Sequence, residues 1–234
     1  MIERLVEDKS IPLLVSDALN PNLYDLLRLV AHPDRPILRL DPSRLCRVRH
    51  LTYPSDVSRI LDIYEGESGY DTAYLAVELI KRTVQQVKRA LIASVGSRRR
   101  RLYLRRGSKY RLLLNDRELE ERLAAIGFEL LDLNGLSIVA QVELFSQAEI
   151  VVGPMGAAVA NIVWCPEGTP VVVLDSDHPA LPFCILTQLA EVCGARALLI
   201  TGPRSFNRTD KYGMHDDFTV DASIVVEYVR ELLD

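Results

Sequence analysis

From Arg101 onward, short continuous apolar runs alternate with stretches of helical period, and this alternation restricts the fold more than any other feature of the chain. The predicted strands are Leu102–Leu104, Phe128–Leu131, Ile150–Val152, Val171–Leu174 and Ala197–Ile200. Between them the spacing predicts helices over Asp116–Ile126, Ser137–Ala148, about Leu181–Cys193, and Ala222–Leu233. Asn115 is expected to cap the first of these, with Glu118 completing a capping box and Gly127 as the stop. Strands that are apolar throughout are buried on both faces, so the expected fold class is α/β, a Rossmann-like parallel sheet covered by helices on each side. Ligands of such sheets bind beyond the carboxyl ends of the strands.

The loop residues at those ends are therefore the candidates. After the third strand comes Gly153-Pro154-Met155-Gly156-Ala157-Ala158-Val159-Ala160-Asn161, a tight small-residue turn leading into a helix-competent stretch. Backbone amides at a helix start have no partner within the helix and attract anions. The two glycines and the alanines let a bulky ligand approach the main chain. After the first strand lie Arg105, Arg106, Ser108, Lys109 and Arg111. A guanidinium grips phosphate through two parallel hydrogen bonds, so these two loops together suit a diphosphate. The run from Arg98 to Arg101 reads as a solvated basic face. Asp175, Ser176, Asp177 and His178 follow the fourth strand; they either touch a sugar or form only a polar loop.

The first hundred residues are less regular. Ile11–Val15, Pro36–Leu40 and Cys46–Leu51 read as strands, with a helix over Asn22–Val30 capped at Asn20 or Asn22. A polar surface connection between Pro54 and Gly69 leads to a long amphipathic helix bearing Ala73, Val77, Ile80, Val84, Val87 and Leu91 on one side. This divides the chain into a partial α/β portion over 1–68, a connecting helix over 69–93, and the Rossmann-like domain over 94–234. No stretch has the roughly 18 uninterrupted apolar residues of a membrane span, and no signal-peptide pattern opens the chain, so a cytoplasmic location is expected. The net charge of −4 argues against a general nucleic-acid binder. Cys46, Cys165, Cys184 and Cys193 lack ligand spacing; buried thiols are expected and no metal site.

Five segments in one order resemble glycosyltransferase family 61, which includes bacterial capsular-polysaccharide proteins. They are Arg101–Arg106, Arg111–Leu119, Gly127–Glu129, Gln141–Glu149, and the glycine turn with Pro166-Glu167-Gly168. His215–Asp221 resembles the family's closing segment. The resemblance is best over the C-terminal half. It implies a two-domain GT-B architecture that binds a nucleotide sugar, first among them a UDP-sugar, and transfers the sugar to a glycan acceptor with inversion and without a metal or other cofactor. Carried onto this chain, Arg105 and Arg111 would hold the donor diphosphate, with Arg106 second to them. Gly153, Pro154, Met155, Gly156, Ala157, Ala158 and Asn161 would present amides to the phosphates or sugar, and Asp132 and Ser137 would lie near the base or ribose.

Two departures qualify this. Met155 stands where the family's turn commonly has histidine, and a thioether neither donates to phosphate nor carries a proton. The acceptor-side portion is short, and neither His32 nor His50 stands out as a base, so the catalytic residue is unassigned. The alternative is a catalytically impaired relative that binds a nucleotide sugar, or only a partner protein, in a glycan-assembly complex or as a homo-oligomer. A nicotinamide-dependent dehydrogenase would need G-x-G-x-x-G opening the first βαβ unit, which is absent.

Overall fold

A computed structural model describes residues 6–53, 58–60, 73–92, 99–107, 109–178, 181, 183–206 and 215–234. The Pro54-Ser55-Asp56 and Glu65–Gly69 stretches of the expected connection, together with Arg98 and Ser108, lie outside the described residues.

The C-terminal part is one five-stranded parallel sheet: β5 (Arg100–Leu104), β6 (Phe128–Leu131), β7 (Ala148–Pro154), β8 (Pro170–Ser176) and β9 (Arg196–Gly202), in the order β6-β5-β7-β8-β9. All seven residues of β8 are buried, as expected of a strand covered on both faces. Side chains alternate along each strand. Leu102, Leu104, Val151, Val171 and Val173 therefore face one core, and Tyr103, Ile150, Val152, Val172 and Leu174 the other. The first core is closed by α2 (Val77–Leu91), α4 (Ile138–Ser146), a 3-10 segment (Ala157–Trp164) and α5 (Phe183–Cys193). The second is closed by α3 (Asp116–Ala124) and α6 (Ala222–Leu233). The result is the three-layer, doubly wound arrangement expected from the alternation.

Several local expectations change. The residues after the glycine turn form a 3-10 rather than an α-helix, placing Val159 and Ile162 on one buried row. Asn115 does not cap α3; its amide instead donates to the Val220 carbonyl at 2.7 Å and accepts from the Val220 amide at 3.2 Å. Gly127 is at φ +86°, a left-handed stop that glycine adopts without strain. The basic run is only partly a solvated face: Arg100 pairs with Glu129, and Arg101 reaches Glu149 at 3.1 Å.

Near the N-terminus, β1 (Leu13–Ser16) and β2 (Ile37–Leu40) pair in parallel across α1 (Pro21–Val30), which is capped by the Asn20 side chain on the Asn22 amide. The two-residue strands β3 (Arg59–Ile60) and β4 (Ala73–Tyr74) pair antiparallel, so the long helix begins at Val77. The expected strand at Cys46–Leu51 is not one. Residues 41–53 are exposed throughout and no described strand runs beside them, so their backbone has no ladder to join. Cys46 is correspondingly exposed, whereas Cys165 and Cys184 are buried. Among the described residues, no helix is long and apolar enough to cross a membrane.

Candidate functional site

The chain leaves β5 for β6 on one side and returns across it to β7 on the other, so the strand order reverses between β5 and β7. That crevice at the carboxyl edge is where a sheet of this kind accepts a ligand. The loops after Leu104 and Pro154 meet there.

Gly153 packs tightly against the end of β5: a Cβ on it would be 2.7 Å from Leu104 Cβ and 2.9 Å from the Leu104 carbonyl oxygen. The Met155 amide donates to the Leu174 carbonyl at 2.8 Å, which ties the turn to the end of β8. Gly156 is extended, and the first bond of the 3-10 segment runs from the Val159 amide to the Gly156 carbonyl at 3.0 Å. The amides of Gly156, Ala157 and Ala158 thus precede the ladder of the 3-10 segment. Met155 itself turns its side chain against the first core.

Arg106 is the arginine on this turn. Its Nη1 donates to the Met155 carbonyl and its Nε to the Tyr110 carbonyl at 3.0 Å. A Cβ on Gly156 would meet Arg106 Nη1 at 2.6 Å. Burial, and then the charge of Arg111, lower the pKa of Arg106, while Asp175 opposes them. Arg111 comes from the same loop after β5. Its φ of 53° is left-handed, an uncommon conformation for a residue other than glycine. Its Nη1 is 3.8 Å from Asp175 Oδ2, and its Nε is buried with no hydrogen-bond partner among the described residues.

Asp175, at the end of β8, is 1% exposed. Oδ1 accepts from the Ser176 amide at 2.8 Å, whereas Oδ2 and the buried Ser176 Oγ have no hydrogen-bond partner among the described residues. Burial pushes the carboxyl up to about 6, against the Ser176 bond and the two arginines. The sequence leaves Asp175 between a sugar contact and a plain polar loop. Its signal was its place at a strand end, one residue past an unbroken apolar run.

The remaining candidates are placed differently. Arg105 points to α3, where Nε and Nη2 form a fork on Glu120 at 2.6 and 2.7 Å. Asp132 accepts from the Asn134 amide at 2.9 Å in a local turn. Ser137 Oγ accepts from the Ala140 amide at 3.2 Å as the cap of α4. Asn161 donates to the Ala158 carbonyl and accepts from the Trp164 indole, each at 3.2 Å, so its amide is engaged within the 3-10 segment. The structure therefore brings Arg106, Arg111 and the Gly156–Ala158 stretch to one edge, and leaves Arg105, Asp132, Ser137 and Asn161 with other partners.

The His215–Asp221 segment is laced across the same edge. The Arg111 amide donates to the His215 carbonyl at 3.2 Å, the Leu112 amide to Asp217 Oδ1 at 2.8 Å, and the Ser205 amide to the Asp217 carbonyl at 2.8 Å. Arg204 and Asp177 pair at 3.1 Å beside it. His178 is held below the usual histidine range by burial and by Arg204. A separate cavity of about 490 Å³, lined by Arg99, Glu149, Glu167, Thr169 and Arg196, lies at the opposite, amino edge of the sheet. Its Arg99 and Glu149 lie 3.8 Å apart, and it is on the wrong edge for a ligand of a parallel sheet.

Among solved structures, the chain is similar to a probable 2-hydroxyacid dehydrogenase from Rhizobium etli CFN 42 in complex with NADP, HEPES and L(+)-tartaric acid. The identity is 14% over 94% of this chain and 92% of that one, and the TM-score of 0.28 is too low to carry an argument. No curated protein matches. The family model for glycosyltransferase 61 matches residues 21–172, a range that starts in α1, takes in the N-terminal strand β2 and ends in β8, short of the His215–Asp221 segment. That range is more than half of the sequence, and with it the chain belongs to glycosyltransferase family 61.

Proposed function

We propose that this chain binds a nucleoside-diphosphate sugar at the β5/β7 crevice and transfers the sugar to a glycan acceptor. Family membership implies glycosyl transfer; the observation that supports the donor is the convergence of Arg106, Arg111 and the turn amides at one edge. In the transfer an acceptor hydroxyl oxygen attacks the anomeric carbon and the bond from that carbon to the diphosphate oxygen breaks. The electron pair stays on the leaving diphosphate and the hydroxyl proton goes to a base. Two guanidiniums and preset amides stabilise the charge that grows on the leaving group, the electrostatic contribution that is usually largest. Attack from the face opposite the diphosphate inverts the anomeric centre. A capsular or exopolysaccharide acceptor, and a cytoplasmic site of action, belong to the same reading.

A second reading is a relative that binds the donor without transferring it. Met155 favours it, because its side chain packs on the core and offers no proton at the turn. Calorimetric titration of UDP, GDP, UDP-glucose and GDP-mannose distinguishes the two when combined with an assay of nucleoside-diphosphate release. A desolvated charge-assisted hydrogen bond is worth about 1.5–3 kcal/mol, so Arg106→Ala and Arg111→Ala should each weaken binding about 10- to 100-fold. Arg105→Ala should change it little if that side chain stays on Glu120. Binding without release of product selects the second reading, and no binding by any of the four rejects both.

A further inference from the structure

Asp175 is a carboxylate in a place meant for an anion. It sits at the carboxyl end of β8, next to the strand whose turn offers its amides, and the Met155 amide is already bonded to the residue before it. Two guanidiniums face it from the loop after β5: Arg111 Nη1 at 3.8 Å from Oδ2, and Arg106, close enough for each to alter the other's proton affinity. Oδ2 and Arg111 Nε are both buried and have no hydrogen-bond partner among the described residues, although each can make one. Among these three groups the charge is two positive against one negative. A sugar nucleotide would bring two negative phosphates to the same guanidiniums, and like charges held close in a buried site do not both persist; one is neutralised by a proton.

We propose that Asp175 is a proton-linked positioning residue, which holds the Arg106–Arg111 pair over the turn and takes up one proton from solvent when a nucleoside-diphosphate sugar takes the two arginines from it. This rests on the donor-binding reading above. The neutral carboxylic acid then donates its O–H to a phosphate oxygen. Burial already brings the carboxyl to about 6, so the proton is taken up readily near neutral pH. The sign follows from that position. Below about 6 the group is protonated before the ligand arrives and affinity is flat; above 6 binding requires a proton, and affinity falls as pH rises, by up to about tenfold per pH unit. The other titratable and charged groups around this edge include His178, Arg204, Asp177, His215, Asp216 and Asp217.

The test is calorimetric titration of the wild-type chain with UDP-glucose and with GDP-mannose from pH 5.5 to 8.5, a range in which the phosphates of a sugar nucleotide keep both charges. The expected result is that slope, together with binding heats at pH 7 that differ between phosphate and Tris buffers as uptake of about one proton requires. Asp175→Asn should bind with no slope and more tightly than wild type at pH 8, while His178→Gln should keep the wild-type slope. If the asparagine variant does not fold, the buffer dependence in wild type decides alone. Binding that is constant with pH, with buffer-independent heats, overturns the inference and leaves the donor site standing. A slope abolished by His178→Gln overturns it as well. Absence of binding by both nucleotide sugars at every pH overturns the donor reading and this inference together.

Discussion

Gly153 and Gly156, three residues apart, are small for different reasons. A Cβ at Gly153 collides with Leu104, including its backbone oxygen at 2.9 Å, and neither strand can move without disturbing the sheet. Gly153→Ala should therefore cost about 1–3 kcal/mol in chemical denaturation, the usual range for overpacking. At Gly156 the obstacle is Arg106 Nη1 at 2.6 Å, the far end of a flexible side chain that can swing aside. Gly156→Ala should stay within about 0.5 kcal/mol of wild-type stability yet weaken nucleotide-sugar binding, because it moves the guanidinium off the turn. A loss of stability in Gly156→Ala equal to that in Gly153→Ala would mean that Arg106 is not free to yield. The Arg105–Glu120 fork stands apart from this: it is exposed on the arginine side, and such pairs contribute little to stability.

At the scale of elements, one residue carries two assignments. The family resemblance implies a place for Ser137 near a base or ribose, and the structure uses its hydroxyl to cap α4 through the Ala140 amide. Ser137→Ala should lose about 1 kcal/mol of stability, as removal of a serine cap does, with nucleotide affinity unchanged. An affinity loss with unchanged melting would reverse the assignment. The cap of α6 is stronger in form, since Asp221 Oδ1 accepts from both Ser223 and Ile224 amides, at 2.8 and 3.2 Å. Asn115 has the composition of a cap and none of its bonds. It holds Val220 from both sides instead, and so ties the start of α3 to a segment 105 positions away. The 3-10 segment ends at Trp164, two residues before Pro166, whose ring disfavours further helical backbone just ahead of it.

For the whole molecule, the long helix is more than a connector. Val84 and Val87 of α2 are buried in the same core as Leu102, Val151 and Phe145, and its Gln86 amide donates to the Val30 carbonyl of α1 at 3.1 Å. From the other side, Asn22 of α1 donates to the Leu136 carbonyl at 2.8 Å. Val87→Ala should accordingly destabilise the five-stranded core by about 2 kcal/mol in one cooperative transition, measured by denaturant unfolding of the tryptophan signal from Trp164. A separate early transition, with the Trp164 transition unmoved, would show that α2 unfolds apart from the sheet.

Sequence alone determined the five strands from Arg100 to Gly202 and the helices between them, because continuous apolar runs and helical period are local signals. It also singled out the glycine turn and the arginines after β5. Only the tertiary structure decided which arginine faces the turn. Arg105 and Arg106 are chemically identical neighbours, and it is Glu120 on α3 that draws one away and the Met155 carbonyl that receives the other. It likewise decided that Cys46–Leu51 stays unpaired, since a strand forms only where another offers a ladder. Asp175 became a candidate in the same way: the carboxyl group is written in the chain, but its burial beside two guanidiniums arises only when loops distant in sequence meet at one edge of the sheet.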